Sequence, residues 1–266
     1  MTHQPSRGVA VDREQRALAH VEAVAVQLRS EFWFSHESAA LIWGCSVVGL
    51  DGKTHVTQEW HASRRGDDAL VRHVIELPAT DRTRHRGLPV TTLERTVIDC
   101  ASSLPGRRAL VVLDSALRLG ADPELIARLL GARSARRGVR RARSVIVRGD
   151  AGAESPGESL TRWEILEAGL PRPACQLEVT TRLGVFRLDI AWPAAKVAVE
   201  FDGFVKYSGG FGSAADVVFA EKRRQDALES AGWLIIRVTW QDLNHPEGWI
   251  PALHSALVTR TARADH

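Results

Sequence analysis

Residues 185–202, VFRLDIAWPAAKVAVEFD, decide how the second half of the chain is read. Two largely apolar runs, 185–192 and 196–202, flank Pro193-Ala194-Ala195, so the segment reads as a strand, a turn and a second strand. Asp189 lies between apolar Leu188 and Ile190. Glu200 and Asp202 are two residues apart, and in a strand such side chains share a face. A hairpin brings Asp189 towards them. Three converging carboxylates repel one another unless their charge is offset. A hard divalent cation such as magnesium offsets it, because it prefers oxygen ligands. An ion so held polarises a phosphodiester and acidifies a bound water. A competing reading assigns Asp202-Gly203 to a turn and pairs Asp189 with Arg187 or another arginine.

Around this segment the elements fall in a regular order. A helix opens at Ser155 and ends by Gly169-Leu170-Pro171. QLEVTTR (176–182) reads as a strand, 208–213 as a Gly/Ser-rich loop and 215–231 as a helix stopped by Gly232. WLIIRVTW (233–240) is a further strand, whose nearly unbroken apolar run predicts burial on both faces. A last helix covers 247–260. The order α-β-β-β-α-β-α predicts an α/β domain with a central mixed sheet and helices on both faces, over residues 150–266. The small, polar stretch GDAGAESPG (149–157) marks its boundary.

Residues 1–149 read as a mixed α+β domain. Helices are expected at 12–31, from Ser35 to Gly44, at 91–103, 107–119 and 122–131, the last opening with the cap pair Asp122-Pro123. KTHVTQEW (53–60) and LVRHVIEL (70–77) read as strands. His36, His55, His61 and His73 show no metal-ligand spacing and receive no role. The half ends in RSARRGVRRARSVIVR (133–148), seven arginines and no acid. As one helix it would place Arg133, Arg136, Arg137, Arg140 and Arg141 on one face, able to neutralise phosphates. A solvated arginine-rich helix or linker is the other reading.

The 266 residues fit one large domain or two small ones. With 44% hydrophobic and 25% charged residues, disorder, collagen and coiled coil are excluded for the whole chain. No run approaches the roughly 18 apolar residues of a membrane helix. Charges fill the first residues, where a signal peptide is apolar. Cys45, Cys100 and Cys175 form neither a zinc pattern nor a disulfide framework. A cytoplasmic protein is expected. Only four basic residues are lysine, and Lys196, Lys206 and Lys222 fall in one window beside the acidic strand.

Six stretches, ESPGESLTR (154–162), GLPRPACQ (169–176), LDIAWP (188–193), VAVEFDGFVKY (197–207), EKRRQDAL (221–228) and GWLIIRVTWQDL (232–243), carry a resemblance. They resemble the very-short-patch-repair-endonuclease-like domain of the PD-(D/E)xK nuclease superfamily. SHESAALIWG (35–44) and GLPVTTLERTVIDCA (87–101) resemble the type IV abortive-infection (AbiEi-like) antitoxin family, although the chain has no evident complete helix-turn-helix before them.

The first resemblance implies a restriction-endonuclease-like α-β-β-β-α-β core. It places Asp189 and Glu200 on two metal-binding acids and Glu158 on the acid of the first helix. Asp202 stands where the superfamily has lysine, and becomes a third or outer ligand. The available cations are Lys206 and Lys222, either able to stabilise negative charge at the phosphate. Ser155-Pro156-Gly157-Glu158 also fits a capping box, so Glu158 carries two readings. Two functions follow. One is an endonuclease acting on DNA with magnesium, or another divalent cation such as manganese. The other is a non-catalytic, antitoxin-like or transcription-regulatory DNA-binding protein on a nuclease scaffold. A third possibility is a protein partner held by the N-terminal half.

Overall fold

A computed structural model describes residues 7–60, 68–133, 137–203 and 214–264. The chain divides into two compact units, Met1–Ala151 and Gly152–His266. Each contains one mixed sheet and its helices.

The first unit opens with α1 (Arg7–Gln27). Its Val21 and Val24 are buried against Phe34, Ala39, Ile42, Val56 and Val90. Strand β1 (Trp33–Phe34) leads into α2 (His36–Trp43), which Gly44 ends in the left-handed conformation. Strands β2 (Thr54–Gln58), β3 (Leu70–Val74), β4 (Arg82–His85) and β5 (Leu88–Thr91) complete a sheet of order β3-β2-β1-β5-β4. β1 pairs antiparallel with β2 and parallel with β5. Helices α3 (Leu93–Ser103), α4 (Gly106–Arg118), α5 (Pro123–Gly131) and α6 (Val139–Ile146) follow. Thr92 and Asp122 cap α3 and α5 by accepting the backbone N–H of Arg95 and Glu124.

The arginine-rich stretch is not one helix. Gly138 precedes α6 at φ 84, and a Cβ there would lie 2.3 Å from the Ser102 carbonyl oxygen. Only glycine fits, so the chain turns before the helix starts. Arg133 lies outside that helix and bonds Asp99 at 3.4 Å, so it leaves the expected cationic face. Arg136 lies outside the described residues.

The second unit runs α7 (Pro156–Glu167), β6 (Ala174–Thr181), β7 (Gly184–Trp192), β8 (Val197–Asp202), α8 (Ala214–Ser230), β9 (Leu234–Thr239) and α9 (Ile250–Ala264). This is the expected α-β-β-β-α-β-α order. The sheet order is β6-β7-β8-β9, antiparallel except for the parallel β8–β9 pair. Leu228 of α8 packs with Leu188, Ala191, Ala198 and Trp233. β9 corrects the expectation from its apolar run. It lies at the edge of the sheet, and Leu234, Ile235 and Ile236 are only half-buried. Apolar composition here reflects packing on one edge strand, not enclosure. Among the described residues, no helix is long and apolar enough to cross a membrane.

Candidate functional site

Of the acidic residues singled out from sequence, Glu158 at the start of α7 and Glu200 on β8 lie close enough to Asp189 on β7 to act on its charge. Ser155 accepts the Glu158 N–H at 3.2 Å and begins α7. Glu158 returns its carboxylate to the Glu154 N–H at 2.9 Å, so it does close the helix start. The same oxygen, Oε2, accepts the Gln176 side-chain amide at 2.9 Å. Gln176 has φ 53, a left-handed value that is costly for a non-glycine residue. It sits where the β6–β7 register breaks, since Cys175 pairs with Ile190 and Leu177 with Leu188 while Gln176 and Asp189 do not pair.

Strand β8 is fixed from the other side. The ring of Phe201 lies against Gly157, where any Cβ would come within 2.0 Å of it. Phe201 also meets Trp240 edge-on at 4.9 Å. Because side chains alternate along a strand, Glu200 and Asp202 project from the face of β8 opposite Phe201, where Glu200 meets Arg224 of α8. Asp189 accepts the Phe201 backbone N–H at 3.0 Å. Burial, then the neighbouring charges of Glu158 and Glu200, push the Asp189 carboxyl up to about 6, against the Phe201 hydrogen bond and Arg224, which hold it down.

Glu200 departs from the metal-ligand expectation. Arg224 of α8 grips both its oxygens, Nη1 to Oε2 at 3.0 Å and Nη2 to Oε1. This two-pronged pairing is the strong form of a carboxylate–arginine contact. Arg224 also touches Glu221 at 3.5 Å, and Glu221 bonds Arg237. Lys222 is exposed, two residues from Arg224 and so about 200° around the helix. The cation that α8 delivers is therefore Arg224. Ala227 and Leu228 are buried late in α8, and Arg224 and Glu221 precede Leu228 by four and seven residues, on its side of the helix. Lys206 lies outside the described residues.

Magnesium needs several oxygens at about 2.1 Å from one point. Among the described residues, the groups of three or more His, Cys, Asp or Glu whose ligand atoms lie within 4.8 Å of one another are His36–His55–His73 and Glu37–Asp51–His55. Asp189, Glu200 and Asp202 are not such a group, and Arg224 holds both Glu200 oxygens. The acids as arranged, with Glu200 held by Arg224, do not fit the ion.

In the first unit, α6 buries Val139, Ala142 and Val145 and exposes Arg140, Arg141 and Arg143, with Arg137 exposed just before it. Arg141 is partly engaged, donating to the Ser103 carbonyl at 3.1 Å.

Residues 48–146 match the family model of the AbiEi antitoxin C-terminal domain. Over 252 residues the chain is 30% identical to Uncharacterized protein Rv2248 of Mycobacterium tuberculosis, covering 92% of this chain and 88% of that protein. It matches Uncharacterized protein MT2308 of the same species with the same identity and coverage. The chain belongs to their family. The crystal structure of RV2827C protein from Mycobacterium tuberculosis is similar at 18% identity and a TM-score of 0.34, over 62% of this chain and 64% of that one. That match spans less than two thirds of the solved chain. The antitoxin-domain match covers β2 to α6, and so includes the exposed arginines.

Proposed function

We propose that this protein is a non-catalytic, antitoxin-like DNA-binding regulator whose second unit uses a nuclease-like α-β-β-β-α-β core as a scaffold. The observation that carries the reading is the antitoxin-domain match over residues 48–146, which ends on α6. Arg137, Arg140, Arg141 and Arg143 there form a cationic surface suited to phosphates. The grip of Arg224 on Glu200 supports the non-catalytic part, since it occupies an oxygen pair that a metal would need.

The test is fluorescence anisotropy with duplex DNA at several salt concentrations, on the full chain and on an Arg140→Glu/Arg143→Glu double variant. Unmodified protein should bind with a steep salt dependence. The double variant should bind more weakly and lose about 2 from the slope of log K against log salt, at about 0.9 per phosphate contact. Equal binding by both proteins overturns the assignment of this face to DNA. Absence of DNA binding moves the function to a protein partner.

One observation favours a second reading, a magnesium- or manganese-dependent endonuclease built on Asp189, Glu200 and Asp202, which requires Arg224 to release Glu200. The Asp189 carboxyl is raised first by burial and then by the charges of Glu158 and Glu200, and a divalent cation would offset that charge. Divalent-dependent cleavage of duplex DNA, lost in Asp189→Asn, would establish it in place of the first.

A further inference from the structure

Three histidines far apart in sequence meet in the first unit. His36 opens α2, His55 lies on β2 and His73 on β3. The rings of His36 and His73 stack at 3.7 Å, and His55 Nδ1 lies 3.0 Å from His73 Nε2. One ring nitrogen of each lies within 4.8 Å of one from each of the others. We propose that His36, His55 and His73 form a binding site for a single transition-metal dication of the zinc type.

The bond length sets the spacing. Zinc–nitrogen distances of about 2.0–2.1 Å place tetrahedral ligands roughly 3.3 Å apart. The His55–His73 pair is already near that separation. The third ring has at most about 1.5 Å to close, by the 4.8 Å bound and this spacing. Its approach includes a tilt out of the stack, because imidazole lone pairs lie in the ring plane.

The surroundings orient the rings. His36 Nδ1 is tied to Ser35 Oγ at 3.0 Å, which leaves Nε2 for the ion. The Ser35 N–H donates to the His55 carbonyl at 3.1 Å, and the His55 N–H to Ser38 Oγ at 2.8 Å, so the two segments are stitched by backbone bonds. His55 Nε2 is buried without a hydrogen-bond partner, and Glu37 Oε2 lies 4.0 Å from it. Glu37 is itself held by Arg108 at 2.6 Å. At 4.0 Å from the His55 nitrogen Glu37 does not hold the ring; an approach of about 1 Å would make it the carboxylate that fixes a ligating histidine's tautomer. His36 holds φ 54, a strained backbone that the surroundings impose.

Charge supports the site on balance. Burial lowers the basicity of all three imidazoles, reinforced by the neighbouring rings at His36 and His55, with His55 at about 4. Arg95 and Arg133 act against a dication at His36. Asp99 binds both arginines and also acts on His73, while Asp51 acts on His55.

The experiment uses untagged full-length protein. Zinc titration by calorimetry should find one equivalent bound, and X-ray absorption of the zinc complex should show about three imidazole nitrogens. His55→Ala and His73→Ala should lose that equivalent, and Glu37→Gln should weaken it by about 10- to 100-fold. Absence of stoichiometric binding overturns the proposal. So does binding unchanged in both alanine variants, or a spectrum without the imidazole pattern. If an alanine variant fails to fold, the spectrum of the unmodified protein decides.

Discussion

The Phe201 backbone N–H points at the Asp189 carboxylate at 3.0 Å, just beyond the last paired residues of β7 and β8, Ile190 and Val199. A side chain has taken a backbone donor of the acidic strand. It does so while two other acids press on it.

The pH dependence follows from this arrangement. The ordinary carboxyl value of 3.8 is raised to about 6 in the folded protein. The native state thus holds a proton that the unfolded chain has lost. The resulting stability is complete below about 4 and disappears as pH rises through about 6. Asp189→Asn should remove this loss and stabilise the second unit at pH 7 by on the order of 1–3 kcal/mol. Urea unfolding of both proteins at pH 4 and pH 7 checks it. A loss between those values that persists in the asparagine variant contradicts the assignment.

Arg224→Ala should destabilise the second unit by about 1–3 kcal/mol, because Glu200 would keep its charge without its partner. Arg224→Lys should recover only part, since an ammonium lacks the planar fork. Adding magnesium should raise the melting temperature of Arg224→Ala more than that of the unmodified protein, as both Glu200 oxygens become free. Thermal melts with and without the ion measure this, and equal shifts would argue against competition at Glu200.

Gly157→Ala should cost about 1–3 kcal/mol by forcing a methyl into the Phe201 ring. A second change, Phe201→Leu, should make the alanine less costly than it is in the unmodified background. A double-mutant cycle from chemical denaturation gives the coupling.

In the first unit, Arg95 is fully buried and bonds Asp81 at 2.7 Å and Asp99 at 2.9 and 3.0 Å. Arg95→Ala should destabilise by about 3–5 kcal/mol, since two buried carboxylates lose their counter-charge. The melting transition of the first unit should fall accordingly. A near-silent result would mean that Arg133 takes over both acids.

Local chemistry made much of this fold readable. Ser155-Pro156, Asp122-Pro123 and Gly44 each mark a helix end and do so in the structure. β1 was not read because two residues carry no periodicity. β4 and β5 were missed because RTRHRGLPVT is mostly polar, contains Pro89 and turns at Arg86-Gly87, both at positive φ. The acids of the second unit were found, but not their counter-ion. Choosing Arg224 over Lys222 requires knowing which side of α8 meets the sheet. The three histidines were passed over because sheet register, not sequence spacing, brings them together.

The two-residue β1 has a practical corollary. It joins the two halves of the five-stranded sheet, pairing β2 on one edge and β5 on the other. The recognised antitoxin segment begins at residue 48, after β1 has passed. An expression fragment cut at that point would inherit two separate strand pairs with no strand between them. Trimming this protein to its recognisable domain would therefore remove the piece that closes the sheet, and any excised form should start upstream of Trp33.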